Sequence, residues 1–316
     1  MYLYSRPFGF VELFKSLSDE NRLRIIRLLL DGIFNVAEIH FIIGGKQSNV
    51  SHHLKILQKN SLISCKKEGL QNYYKLSDFK ENRLLKNIIQ SIKENQQAIN
   101  FFNEDMKRKE LVIMERRNFA EKYFNDLGGG IDALQEEAFK NLYTVEETLP
   151  LLNGKYKTIV DIGCGSGRNL TALSAYAEKV IGVDISQKML QLSDHICKKG
   201  GFNYELINGD FLNLPIDDNS VDVAFINMTL HHISTPELAL KEINRILTKK
   251  GKMLLIDLLA HNDYKMRDKQ ADLWLGFNED YILDLCALHN FKILKKIIKK
   301  NNISDKKVII VFAEKK

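Results

Sequence analysis

Between two short runs rich in Val and Ile, TIVDIG (158–163) and VIGVDIS (180–186), lies the glycine loop GCGSGRN (163–169) and then the apolar-periodic NLTALSAYA (169–177). No other stretch restricts the fold as tightly. A β-run, a glycine turn, a helix and a second β-run ending in an acid read as a βαβ unit, the building block of a doubly wound parallel sheet. The glycines are Gly163, Gly165 and Gly167, spaced G-x-G-x-G. A dinucleotide fingerprint needs glycine at position 168, where Arg168 stands. The loop therefore suits a nucleoside without a pyrophosphate. Glycine lets backbone approach such a ligand closely, and Asp184 at the end of the second run can accept from ribose hydroxyls.

Downstream, NGDFLNLPIDDNSVDVAFINMTLHHI (208–233) and GKMLLIDLL (251–259) continue the alternation of turns and β-runs. In order and spacing, residues 130–260 resemble the class I S-adenosylmethionine-dependent methyltransferases, more narrowly the ubiquinone-biosynthesis-type subgroup that acts on small molecules. The resemblance implies S-adenosyl-L-methionine as cofactor and a small-molecule methyl acceptor. It places Asp161 with Gly163, Gly165 and Gly167 at the methionine part, and Asp184 at the ribose with Ile185 beside it. Asp210 faces the adenine amino group, Phe211 lies against the ring, and Asn227 lines the floor.

His231 and His232 follow a β-run whose carboxyl end belongs to the ligand crevice of such a sheet. His231 is the candidate catalytic base, although transfer from a sulfonium can proceed on alignment alone. HNDYKMRDKQADLWLGFNEDYILDLCALHNF (261–291) stands where these enzymes carry a substrate-side cover, with Trp274 and Phe277 as candidate lining and Asn278 as a helix N-cap. The tail KILKKIIKK…KKVIIVFAEKK predicts two closing antiparallel strands with a lysine-guarded edge.

The first third reads differently. SLSDENRLRIIRLLLDG (16–32) predicts a helix with Ser18 as N-cap, acids Asp19 and Glu20 in its first turn and Gly32 as its stop. NVAEIHFIIGG (35–45) and KQSNVSHHLKILQKNSLI (46–63) predict two helices joined across Gly44-Gly45, a helix-turn-helix candidate. At about 100° per residue, Val50, Leu54 and Leu57 form the core stripe and His53 lies at its edge. His52 points outward. Adjacent residues on a helix diverge too far to chelate one ion. Gln47, Ser48, Asn49, Ser51, His52 and Lys55 then form a face suited to a DNA groove. SLISCKKEGLQNYYKLSD (61–78) predicts a hairpin turning at Glu68-Gly69, with Lys66 and Lys67 placed to meet phosphates.

Residues 10–80 resemble the ArsR/SmtB-type (arsenic-repressor) family of winged-helix transcription regulators, on LSDENRLRIIRLLL, QSNVSHHLKILQKNSLI and the tyrosine-bearing NYYKL. That resemblance implies operator DNA as partner and a homodimer. The cysteine pair and histidine sets of metal-sensing members have no counterpart in FNVAEIH or in 80–110, so no metal site is expected. FKENRLLKNIIQSIKENQQAINFFNEDMKRKE (79–110) lacks Gly and Pro, and holds Leu85, Ile92, Ile99 and Met106 with Ile88 and Phe102 at heptad spacing. It predicts one long helix whose seam packs on its own domain or on a second copy.

Charge follows the same division. Residues 1–110 carry 18 Lys+Arg against 12 Asp+Glu, and the rest carry 28 of each, so the whole net charge of +6 lies in the first third. Three segments are expected: a winged helix-turn-helix at 1–79, a helical dimerisation or linker segment at 80–127, and a methyltransferase domain at 128–316. The expected fold is α/β, with an N-terminal α+β winged helix and a C-terminal doubly wound Rossmann-like sheet ending in an antiparallel strand. No apolar run reaches the length of a membrane span, no signal peptide is evident at MYLYSRPFGF, and the cytoplasm is the expected compartment. Two further readings stay open. The second half could bind S-adenosylmethionine or S-adenosylhomocysteine only as an effector. Arsenic methylation would need converging thiols, and Cys65, Cys164, Cys197 and Cys286 are scattered.

Overall fold

The structure is a computed structural model, and it describes residues 9–68, 71–77, 79, 82–127, 130, 142–233, 235–261, 273–300 and 306–316. The chain divides into two compact units, Met1–Arg116 and Arg117–Lys316.

In the first unit, α1 (Phe10–Leu17) is followed by α2 (Glu20–Leu29). The N-cap of α2 is Asp19, whose carboxylate accepts from the Arg22 N–H at 3.0 Å; Ser18 turns back instead to the carbonyl of Lys15. Asp and Ser serve about equally well as N-caps, and here the chain enters the helix one residue later than the serine. A short strand β1 (Phe34–Asn35) leads into α3 (Val36–Ile43), which opens with a reciprocal capping box between Asn35 and Glu38. The recognition-helix candidate α4 (Gln47–Lys59) buries Val50, Leu54 and Leu57, the stripe expected from its periodicity. Strands β2 (Ile63–Glu68) and β3 (Gln71–Leu76) pair antiparallel with Lys66 opposite Tyr73 and Lys67 opposite Asn72, and β1 adds to β3. The hairpin is present; the tip at Gly69 lies outside the described residues.

The single long helix expected over 79–110 is instead broken. Helix α5 (Arg83–Glu94) buries Leu85 and Ile89 in its own domain. Asn95 ends it, both its backbone N–H and its side-chain amide donating to the carbonyl of Ser91. A 3-10 turn at Gln96–Ala98 follows, and Phe101 sits in the left-handed region at φ 59° before α6 (Phe102–Leu127) begins. The break has a physical cause outside the local sequence. Asp105 in the first turn of α6 is almost wholly buried and is held by both Arg24 and Arg27, while Arg24 lies 4.6 Å over the ring of Phe101. Leaving any one of these buried charges without its partner would cost about 3–5 kcal/mol, more than the roughly 1 kcal/mol cost of one left-handed residue. Ile99 therefore falls in the break, and the heptad seam is divided between two helices. Within this unit Lys109 pairs with Asp31 at 2.6 Å and Arg116 with Glu38 at 2.7 Å, fixing the first part of α6.

The second unit is built on a seven-stranded sheet. Its strands are β4 (Tyr156–Ile162), β5 (Ala177–Asp184), β6 (Tyr204–Asn208), β7 (Val221–Asn227), β8 (Leu247–Leu258), β9 (Phe291–Lys300) and β10 (Lys307–Lys315), in the order β6-β5-β4-β7-β8-β10-β9. The first five in that order are parallel, and β10 runs antiparallel between β8 and β9. Helices α7 (Arg168–Ser174), α8 (Gln187–Gly200) and α9 (Pro236–Ile246) make the crossovers, and α10 (Glu279–Leu288) precedes β9. Both faces of the sheet are covered. Val160 and Ile162 join one apolar cluster and Ile159 the other; Met253 and Leu255 alternate in the same way with Leu254 and Ile256. Strand order reverses between β4 and β7, which opens a crevice at their carboxyl ends. Residues 262–272 of the expected cover lie outside the described residues.

Candidate functional site

Asp161 stands near the carboxyl end of β4, 1% exposed, and neither carboxylate oxygen has a hydrogen-bond partner among the described residues. Burial, with the charge of Asp184 adding to it, pushes its pKa up to about 8. The glycine loop begins two residues later. Gly165 has φ 53° and only open space where a Cβ would project, so a ligand can lie directly on its backbone. Gly167 has φ 86°, and a Cβ there would meet Ser193 at 2.8 Å, so this glycine serves packing against α8.

Asp184 closes β5 and is bound into the loop. One oxygen accepts the Gly165 N–H at 2.9 Å and the other the Ser186 N–H at 2.8 Å. Burial raises its pKa to about 6, and the backbone N–H groups of Ser186, Gly165 and Ile185 pull against that rise. Ile185 is half-buried, and its carbonyl accepts from the Asn208 side-chain amide at 2.8 Å. The Phe211 ring closes against Gly163, where a Cβ would come within 3.0 Å of it. Asp210 accepts the Leu212 N–H with one oxygen and meets the Arg117 guanidinium at 3.1 Å with the other.

A second cluster occupies the carboxyl ends of β7 and β8. Asn227 accepts from the Tyr143 hydroxyl at 2.7 Å. The Tyr143 pKa is raised by burial and then by the charge of Asp257. Asp257, fully buried, lies 2.7 Å from Nδ1 of His231, whose side chain is 2% exposed. The His231 and His232 rings are 4.1 Å apart, and His232 meets Phe124 edge-on. Trp274 donates to the carbonyl of Ile233 and is half-buried; Phe277 is core, stacked on Tyr281.

The structure thus draws Asp161, Gly163, Gly165, Gly167, Asp184 and Phe211 around one loop, and sets Asn227 and His231 in the neighbouring cluster. Tyr143, Asp257, Arg117, Phe124 and Asn125 were not anticipated. Asp257 had a signal, since LLID ends a β-run in an acid just as TIVD and VIGVD do. Arg117 had none, being remote from Asp210 in sequence.

In the first unit, Gln47, Ser48, Asn49, His52 and Lys55 are exposed on one side of α4 and Ser51 is half-buried. Lys67 is exposed on the hairpin and Lys66 half-buried. His53 sits 3.5 Å from Asp19, its pKa lowered by burial despite that carboxylate.

A mostly parallel seven-stranded sheet with a glycine loop after β4 and an antiparallel β10 is the class I methyltransferase fold. A profile described as a methyltransferase domain matches residues 160–255, and one for bacterial regulatory proteins of the arsR family matches residues 19–64. The uncharacterized methyltransferase YcgJ of Bacillus subtilis is 33% identical over 106 residues, covering 33% of this chain and 42% of that protein. The demethylmenaquinone methyltransferase of Staphylococcus carnosus is 35% identical over 101 residues, covering 31% and 42%. The chain thus spans under half the length of these two relatives. Among solved structures, a chain from the complex between the Haloferax volcanii Trm112 methyltransferase activator and a methyltransferase matches with TM-score 0.51 at 17% identity, covering 60% of this chain and 96% of that one. In this chain a match to the arsR-family profile at residues 19–64 thus precedes a match to the methyltransferase-domain profile at residues 160–255.

Proposed function

We propose that the second unit binds S-adenosyl-L-methionine and passes its methyl group to a small organic acceptor, while the arsR-family half binds operator DNA as a cytoplasmic homodimer. Asp161 carries the first part of this reading. A buried carboxylate with both oxygens unpartnered calls for a cation, and an isolated ionised carboxylate is costly to bury. The ammonium of an amino-acid ligand lying over the open side of Gly165 would meet that need. Asp184 is placed to take ribose hydroxyls, Ile185 to line the ribose side, Phe211 to lie against a base, Asp210 to accept its amino group and Asn227 to line the floor. The cofactor supplies a methyl group on a sulfonium, whose departure leaves a neutral thioether, so the protein's chief task is alignment. Where the acceptor carries a proton, His231 is the base, with Asp257 holding Nδ1 of its ring. The demethylmenaquinone relative supports a small acceptor. The exposed residues Gln47, Ser48, Asn49, His52 and Lys55, with Ser51 and the hairpin lysines Lys66 and Lys67, support DNA binding. Phe10, Val11 and Phe14, exposed on α1, support a second copy as partner.

Calorimetry tests the cofactor site. At pH 7 S-adenosylhomocysteine should release about one proton on binding, because pairing with an ammonium restores an ordinary acid to Asp161. 5′-Methylthioadenosine, lacking the amino-acid part, should release none. Absence of binding by both nucleosides would remove the reading. A second reading, a regulator that takes the ligand only as effector, is favoured by the burial of His231. Transfer of labelled methyl to any component of a metabolite extract excludes it.

A further inference from the structure

Three residues near the end of α6 touch three parts of the proposed ligand site. Arg117 meets Asp210 at 3.1 Å. Asn125 accepts the Ser186 hydroxyl at 2.6 Å, where Ser186 also caps α8 two residues beyond Asp184. Phe124 packs edge-on against His232 with ring centroids 5.2 Å apart. Residues 117 and 124 are seven apart and 125 lies beside them, so one face of one helix makes all three contacts. Helical continuity means that these contacts form or release together.

Resting on the cofactor reading above, we propose that residues 117–125 are a strap across the ligand site, and that Arg117 holds the Asp210 carboxylate that the adenine amino group would otherwise take. Asp210 already gives one oxygen to the Leu212 N–H. The other faces Arg117, so an incoming amino group competes with the guanidinium for the same lone pairs. The strap is weakly held. The Arg117 side chain is 48% exposed and that of Asp210 24%, and an ion pair in such surroundings is worth little and is screened by salt. A ligand can therefore displace it, at the cost of an affinity reduced by the fraction of molecules in the strapped state. Arg117 is thus a positioning residue that sets how tightly the site takes an adenine nucleoside.

The test is calorimetric titration of S-adenosylhomocysteine into the full chain and into its Arg117→Ala variant, at about 50 mM and about 500 mM salt. Arg117→Ala should bind roughly two- to fivefold more tightly at low salt. Wild-type affinity should rise with salt towards that of the variant, whose own affinity stays flat. Arg117→Lys, which keeps the charge, should retain the salt dependence. Equal or weaker binding by Arg117→Ala, with wild type insensitive to salt, would overturn the strap while leaving the cofactor reading in place. Failure of wild type and variant alike to bind the nucleoside would instead remove the cofactor reading, and the strap with it.

Discussion

At the scale of single residues, the site sets stability against binding. Asp161 has its pKa raised from 3.8 to about 8 by burial. An acid whose folded pKa exceeds its unfolded one favours the folded state at low pH. That advantage is lost as pH rises through the window from about 4 to about 8. Asp161→Asn should therefore stabilise the ligand-free protein by roughly 5 kcal/mol at pH 8 and by only about 1–2 kcal/mol at pH 5. The same change should abolish proton release and weaken S-adenosylhomocysteine binding at least tenfold. Melting curves at the two pH values check the first part, and a stabilisation that ignores pH would refute it. Asp257 makes a second case. Asp257→Asn presents an N–H to His231 Nδ1, which forces the ring into the other tautomer. If His231 is the base, turnover should fall on the order of a hundredfold or more with KM nearly unchanged, and long-range nitrogen–proton spectra should show the tautomer exchange. Unchanged turnover with an exchanged tautomer would make the pair structural. Asp161 and Asp184 were legible because each ends a β-run beside glycines. Tyr143 and Arg117 were not, since only the fold brings them to Asn227 and Asp210.

Elements were legible where local pattern and tertiary packing agreed. The stripe Val50-Leu54-Leu57 fixed the facing of α4, and the inner parallel strands β4, β5 and β7 read as short apolar runs because both of their faces are buried. The segment 79–110 failed this rule. It has helix formers throughout and neither Gly nor Pro, yet Arg24 and Arg27, some eighty positions earlier, pull Asp105 inward and break it at Phe101. Long-range ion pairing leaves no periodic trace. The outward face of α4 carries the element-scale prediction. His52→Ala should weaken binding to a preferred operator by about 1–3 kcal/mol and reduce discrimination against other sequences. Lys55→Ala and Lys67→Ala should weaken binding to all DNA alike, each lowering the slope of log affinity against log salt by about 1. Fluorescence anisotropy across a salt series separates the two patterns. Equal losses from His52→Ala on every sequence would make it a backbone contact.

For the whole molecule, the decisive question is whether the two halves act on each other. The net charge of +6 resides entirely in the first third, which gives that part a salt-dependent attraction to polyanions whatever the second half does. Affinity for DNA alone therefore says nothing of coupling. A ligand alters DNA binding only through a difference in its affinity for the DNA-bound and free forms. Anisotropy of DNA from the protein's own upstream region, with and without saturating S-adenosylhomocysteine, measures that difference. A regulator should show a shift of about 5- to 150-fold, equivalent to roughly 1–3 kcal/mol, and DNA must then shift nucleoside affinity by the same factor. The reciprocal titration is the stringent half of the experiment, because an artefact of salt or competition would move one affinity and not the other. If the strap joins the two events, Arg117→Ala should leave DNA affinity in the absence of nucleoside within twofold of wild type or shift it towards the liganded value, and should shrink the remaining response to nucleoside. A response of unchanged size in that variant would place the coupling elsewhere. No response in wild type would leave a DNA-binding module and a methyl-transfer module acting independently on one chain.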